Sequence, residues 1–393
     1  MTGTFRVAAR KFKPFETAMA KQWAAFRATG VTNLEIEIVA FDLEPLHRTL
    51  FDPPAAAEPW DLAFMPTDWI AEAQAKGVVV DLRPLMAEQP IPDFPNAWTP
   101  SLLAIQDYAG GFWGFPYHDG PQCLIYRTDL LAAAGLEVPR DWPAFHAAAR
   151  RLHDPAREIE GTVLALFPDG HNSFYDFCVQ IWTRGGSPFA SDGRATLLTS
   201  EADAALTFLR TLAADRDATA ADLTQIDSVA SGLRFCDGRV ALMANWFGFA
   251  ALGASWDMSR VRGNVGIAPL PGDVPVSLNV FWMLTIPGRS TRRDLAWSFT
   301  RHCATGPMDR LLSLEGGIGV RRSTWIDPAV NAIVPFSHQL DGLHEVARML
   351  PRHPRLSQIA HVVDLMMTSA VTSERATADL LAEAQSGIEA ITG

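Results

Sequence analysis

The stretch GFPYHDGPQCLIY, residues 114–126, sets Tyr117, His118 and Asp119 between Pro116 and Pro121. An imidazole beside a carboxylate is the pairing that general acid–base chemistry uses. Here the two groups are adjacent, and adjacent side chains of an extended chain point to opposite faces. They cannot work on one substrate from the same side. Other chemistries fail on spacing. His344-Glu345 lacks the following histidine that a zinc-binding helix needs, and no G-x-x-x-x-G-K phosphate loop or G-x-S-x-G elbow occurs. Gly263-Asn264-Val265-Gly266 and Gly316-Gly317-Ile318-Gly319 lack dinucleotide spacing and a strand-to-helix setting. Cys123, Cys178, Cys236 and Cys303 lie too far apart for a metal knuckle or redox motif, and their apolar neighbours predict buried free thiols. The residues predict a binder, with no catalytic group, cofactor or metal.

Aromatic residues carry more signal. Twelve tryptophans occur, and Trp69, Trp113, Trp246 and Trp282 fall at strand ends beside polar groups. Trp23, Trp142 and Trp297 sit at helical spacings and read as core. A flat ring with a polar rim suits a sugar, whose faces are apolar and whose edges carry hydroxyls. For Trp246 and Trp282, ligand contact and core packing remain equally open.

The elements that must hold these residues follow from periodicity. A strand over 5–9, a helix over 15–29 with Phe15, Met19, Trp23 and Phe26 on one face, a strand over 34–41, a helix near 43–51 and a strand over 61–65 alternate. Asp68 is placed to cap a helix running to Gly77. This order predicts a parallel sheet covered by helices on both faces. Ligands of such sheets gather beyond the carboxyl ends of the strands, here at Arg10-Lys11-Phe12 and Pro66-Thr67-Asp68-Trp69. The rhythm restarts with a strand over 122–126, helices over 128–134 and 141–154, a strand over 161–167, helices over 173–184 and 201–214, and a strand over 238–244. Strands over 264–270 and 279–286, helices over 291–304 and 306–314, and a helical tail from 336 complete it. A chain of 393 residues exceeds one core, so two α/β lobes are expected. The net charge of -11 argues against a phosphate-backbone partner. No run of eighteen apolar residues predicts a membrane span, and the first residues contain no signal-peptide core.

Three stretches carry a family likeness: GFWGFPYHDGPQCLIYRTDLLAAAGL, GRVALMANWFGFA, and NVFWMLTIPGRSTRRDLAWSFTRHCATGPMDRLLSLEGGIGVRRSTWIDP. Together they resemble the maltose-binding-like extracellular solute-binding proteins of family 1, the receptors of ABC importers. The family's late-loop proline is Gly319 here, and its N-G-x-W element is shortened to Asn245-Trp246. The resemblance implies a two-lobed type II periplasmic-binding fold, with lobe 1 over 1–116 and 270–325 and lobe 2 over 117–269 and 326–393. It implies a monomeric, non-enzymatic carbohydrate receptor that closes by hinge bending and serves membrane permease subunits. Residues 116–120 would lie at the hinge, on the floor of the cleft. Asp68, Tyr117, His118, Asp119, Asn245 and Asn279 would meet ligand hydroxyls, and Trp246 and Trp282 would stack. Gly317 would admit the ligand to the backbone, Arg321 would contact ligand or tie the lobes, and Arg10 would meet an anionic substituent. The location implied is periplasmic, with a signal peptide removed or left out. A glycan-processing enzyme using Asp68 and Asp119, or a receptor for a polyamine or phosphate ester, is the alternative.

Overall fold

The computed structural model describes residues 3–191 and 193–393. The strands that build its two main sheets are β1 (Thr4–Arg10), β2 (Glu35–Phe41), β3 (Leu62–Pro66), β4 (Phe115–His118), β5 (Gln122–Arg127), β6 (Leu242–Trp246), β7 (Val265–Ala268) and β8 (Trp282–Thr285). The chain divides into two compact units, one of residues 1–120 and 279–345, the other of residues 121–278 and 346–393. The boundaries expected at 116/117, 269/270 and 325/326 thus fall at 120/121, 278/279 and 345/346.

In the first unit β1 pairs in parallel with β2 from Thr4↔Glu35 to Arg10↔Phe41, and with β3 at Val7↔Leu62. A central parallel strand is covered on both faces, which is why Phe5, Val7, Ala8 and Ala9 are all apolar and fully buried. The helix Lys13–Ala28 buries Phe15, Met19, Trp23 and Phe26, as their spacing predicts, and Trp23 stacks on Phe5 at 4.6 Å. The strand order is β2-β1-β3-β8-β4, with β8 antiparallel to both β3 and β4. The sheet is therefore mixed. Because β8 runs backwards, its first residue, Trp282, pairs with Pro66 at the end of β3 and with His118 at the end of β4.

The second unit centres on an antiparallel sheet, β6-β5-β7, in which Gln122 opens β5 opposite Trp246, the last residue of β6. The helix Asn172–Trp182 is buried on almost every side, as an apolar sequence such as NSFYDFCVQIW requires. Helices Ser200–Ala214 and Leu356–Thr372 belong to the same unit. Thr199 caps the first through its side chain, accepting from the Ala202 N–H. Gly135 ends the helix Thr128–Ala134 at φ 65°, the left-handed conformation glycine adopts without strain.

Two element expectations are corrected. Residues 161–167 form no strand, although 161–166 are buried; only Glu160 and Thr162 make isolated bridges, to Val240 and Thr219. An apolar run reports burial, and burial here comes without a full ladder partner. Asp68 does not cap the following helix: it lies inside a short 3-10 turn, Thr67–Trp69, and the helix Ile70–Lys76 begins without a side-chain cap. All four cysteines are free and buried.

Candidate functional site

The mixed register of the first unit brings the carboxyl ends of β1, β3 and β4 and the start of β8 to one sheet edge. Aromatic rings gather there. His118 lies edge-on to Phe15 at 4.7 Å and 6.2 Å from Phe12, and Phe15 lies 6.3 Å from Trp282. Phe12, His118 and Trp282 each remain partly exposed, whereas Phe281 is 1% exposed. Alternation along the strand therefore leaves Trp282, not Phe281, at the surface. His118 Nδ1 accepts the Ile318 N–H at 2.9 Å, which assigns the ring proton to Nε2. Burial lowers its pKa to about 4 despite the neighbouring Asp119, so the ring is neutral near pH 7. It offers one N–H donor beside the aromatic rings of Phe12 and Phe15.

Arg10 ends β1 at the same edge, where its guanidinium donates to the Phe41 carbonyl at 3.2 Å and meets Asp42 at 3.4 Å. Asp68 is partly exposed just beyond β3. Trp69, also a strand-end residue, is buried edge-on against His47 and Phe51 and belongs to the core.

Several expected ligand contacts are occupied within the unit. The Tyr117 hydroxyl donates to Gln22 Oε1 at 2.8 Å, and burial pushes the phenol well above its usual range. Asp119, 1% exposed, meets His344 Nε2 at 2.7 Å; the other ring nitrogen meets Ser101 Oγ at 3.0 Å, and Trp325 stacks on the ring. Asn279 donates to the Ser101 carbonyl at 3.2 Å. Arg321 is buried, donating to the Ala304 carbonyl at 2.8 Å and to Asp93 at 2.6 Å over the Trp98 ring. It ties parts of one unit together. Gly317 is small for packing: a Cβ there would lie 2.5 Å from the Leu312 side chain. Tyr117, Asp119, Asn279 and Arg321 thus each make hydrogen bonds within the unit, while Asp119 Oδ1, Asn279 Oδ1 and Arg321 Nε are buried without a partner among the described residues.

The second unit presents a matching arrangement at the β5/β6 end. Asn245 is buried, donating to Ser231 Oγ at 2.9 Å, while its Oδ1 accepts the Trp246 N–H at 2.7 Å. It therefore positions Trp246 at the turn into the helix Phe247–Ser255. Trp246 stays partly exposed and meets Tyr175 edge-on at 5.8 Å; Tyr175 in turn meets His171 at 5.6 Å. Gln122 Nε2 donates to Asp176 Oδ1 at 3.2 Å, and burial raises that carboxyl to about 7. Sequence reasoning placed Phe12 at a strand-end site and missed Gln122, His171, Tyr175 and Asp176. The aromatic richness of residues 173–184 was the available signal for Tyr175.

A cavity of about 710 Å³ lies elsewhere in the first unit, bounded by Leu50, Trp60, Val79, Pro287, Arg289 and Arg293. It adjoins the opposite ends of β3 and β8. Arg289 and Arg293 donate to nearby loop carbonyls, so this cavity brings no convergent polar set. Among the described residues, no group of three or more His, Cys, Asp or Glu is disposed to hold a metal, and no helix is long and apolar enough to cross a membrane.

Residues 54–305 match the model of the bacterial extracellular solute-binding proteins, and the chain belongs to that family. YcjN of Escherichia coli (strain K12), named for a periplasmic-binding role in an ABC transporter, is 30% identical over 133 residues, 33% of this chain and 27% of that relative's length. The chain thus matches about a quarter of that curated relative. The maltose-bound MalE3 of T. maritima superposes with a TM-score of 0.88 at 21% identity, covering 99% of this chain and 100% of that one. A solute-binding protein of Agrobacterium radiobacter K84 in complex with ribitol gives 0.88 at 24% identity, covering 99% and 98%. The fold is that of the type II periplasmic binding proteins.

Proposed function

We propose that this protein is the substrate-binding component of an ABC importer, capturing a sugar or sugar derivative such as a polyol by hinge closure and delivering it to permease subunits. The observation that supports this reading most is the pair of partly exposed tryptophans, Trp282 and Trp246, each at a strand end beside hydrogen-bonding groups. Such rings cover the apolar face of a sugar while polar neighbours bond its rim. The solved neighbours that bind maltose and ribitol, and one that binds D-mannitol, support the ligand class. His118, Asp68, Trp282 and Trp246 are the proposed contacts, with Arg10 at the margin. Tyr117, Asp119, Asn245, Asn279, Gly317 and Arg321 act by holding those residues in place. The protein works outside the cytoplasmic membrane as a monomer, and it leaves its ligand chemically unchanged.

A thermal-shift screen against sugars and polyols, followed by calorimetric titration, tests the reading. A ligand at one hundred times its Kd stabilises the fold by about 2.7 kcal/mol, a shift such a screen reads directly. Recovery of intact glycosides after incubation is expected. Turnover of a glycoside, or silence across the whole carbohydrate series, would sink it.

A further inference from the structure

The backbone amides of the late loop, residues 316–321, are nearly all claimed by the helix that precedes them, Gly306–Leu314. Gly316 and Gly317 donate to the carbonyls of Ser313 and Leu312 at its end. Gly319 donates to Ser313 Oγ at 2.9 Å, Val320 to Asp309 Oδ1 at 2.8 Å and Arg321 to Asp309 Oδ2 at 3.1 Å. Asp309 and Ser313 are buried, so an amide that lost either acceptor would stay unpaired away from water. Trp325 Nε1 holds the Gly319 carbonyl from the other side at 2.7 Å. The one amide of the six that leaves the helix is that of Ile318, which donates to His118 Nδ1 at 2.9 Å. The Ile318 carbonyl in turn accepts the Asp119 N–H at 3.0 Å. The loop therefore grips residues 118 and 119 through both polar groups of one residue, and its own course is set by Asp309 and Ser313.

A backbone N–H can only donate. The Nδ1 that faces it must keep its lone pair, so the ring proton of His118 sits on Nε2, and a second proton on Nδ1 would set two N–H groups against each other. Nε2 has no hydrogen-bond partner among the described residues, and the ring is partly exposed beside Phe12 and Phe15. An imidazole free to choose its tautomer could present either a donor or an acceptor there; this one presents a donor alone. We propose that Asp309 is a positioning residue for ligand recognition: by setting the course of residues 318–321 it makes His118 a fixed Nε2–H donor, which selects an acceptor oxygen of the ligand. That His118 meets the ligand rests on the function proposed above; that Asp309 fixes its tautomer rests on the loop alone.

The test uses the full chain near neutral pH, with maltose, ribitol and D-mannitol as calorimetric probes. His118→Asn keeps an acceptor for the Ile318 N–H and removes the Nε2 donor. Asp309→Asn keeps the shape of the carboxyl and one of its two acceptors, and urea midpoints establish that both variants fold. His118→Asn is expected to weaken the tightest-bound probe about tenfold, and Asp309→Asn about fivefold. Adding Asp309→Asn to His118→Asn should change affinity by less than about twofold, because a residue that acts through His118 then has nothing to act on. Equal losses from Asp309→Asn in both backgrounds, or full affinity in His118→Asn, overturn the proposal and leave the receptor reading standing. Nitrogen NMR of isotope-labelled histidine reads the tautomer with no ligand present, the His118 signals being those that vanish in His118→Asn. The parent should show a protonated Nε2 and a bare Nδ1, and Asp309→Asn a mixture of tautomers. A proton on Nδ1 in the parent, or an unchanged tautomer in Asp309→Asn, overturns the positioning role whatever the probes do. Silence of the parent toward all three probes counts against the sugar reading, and the tautomer then decides the role of Asp309 by itself.

Discussion

At the scale of single residues, the tryptophans separate contact from core. Trp246 and Trp282 keep part of their surface open, whereas Trp297 and Trp325 are almost wholly enclosed. Trp246→Ala and Trp282→Ala are expected to weaken ligand binding by about 1–3 kcal/mol while costing less stability than the 3–5 kcal/mol of a core aromatic. Trp297→Ala is the control and should show the reverse. Calorimetric titration beside urea unfolding reads both quantities, and normal binding by a variant that unfolds easily would return that ring to the core. Asp176 supplies a second residue-scale prediction. Its folded pKa of about 7 exceeds the 3.8 of the free group, so the native state holds a proton that the unfolded chain has released between those values. Stability from this group therefore falls as pH rises from about 4 to 7. Asp176→Asn removes the loss, and its urea midpoint should exceed that of the parent at pH 8 and converge with it near pH 4. His118 acts the opposite way: its pKa is depressed from 6.5 to about 4, so its contribution is present above 6.5 and lost as pH falls through 4. It is common to both proteins and cancels in the comparison. A midpoint gap that is unchanged across this range would contradict the assignment.

At the scale of elements, the late loop shows why a glycine stands where the related family has proline. Asp309 accepts the Val320 and Arg321 N–H groups at 2.8 and 3.1 Å, and a Cβ on Gly319 would sit 2.5 Å from its Oδ2. The loop then delivers the Ile318 N–H to His118 and the Ile318 carbonyl to the Asp119 N–H. Gly319→Ala should destabilise by about 1–3 kcal/mol, the usual range for overpacking, measured by denaturant unfolding; a neutral result would show that the loop yields. Helix starts follow the same local logic. Asp141 accepts the Ala144 N–H at 2.7 Å at the head of Trp142–Leu152, and Asp141→Ala is expected to cost about 1 kcal/mol without altering ligand affinity.

At the scale of the whole molecule, the chain passes between its two units three times, at 120/121, 278/279 and 345/346. On the first unit's side, these segments are tied into one hydrogen-bonded group, with Asp119 joined to His344, His344 to Ser101, and Asn279 to the Ser101 carbonyl. Capture by hinge closure predicts a smaller radius of gyration in small-angle scattering once ligand saturates the protein. An identical radius in both states would count against closure.

What the sequence determined by itself is local. Helical spacing placed Phe15, Met19, Trp23 and Phe26 on one buried face, apolar alternation located most strands, and Gly77 and Gly135 marked helix ends, because each depends on neighbours within a few positions. The motifs at 111–136, 238–250 and 279–328 also carried the family. Which polar groups face outward was decided by the tertiary structure alone. Tyr117, Asp119, Asn279 and Arg321 look like ligand contacts in the chain, yet their partners Gln22, His344, Ser101 and Asp93 lie 95, 225, 178 and 228 residues away. The Gly170 N–H met Asp364, 194 residues away, through folding, and the antiparallel course of β8 set Trp282 beside His118. A hydrogen-bond donor carries no mark in sequence of whether its acceptor will be water, a ligand or a distant side chain; only the closing of long-range pairs settles that.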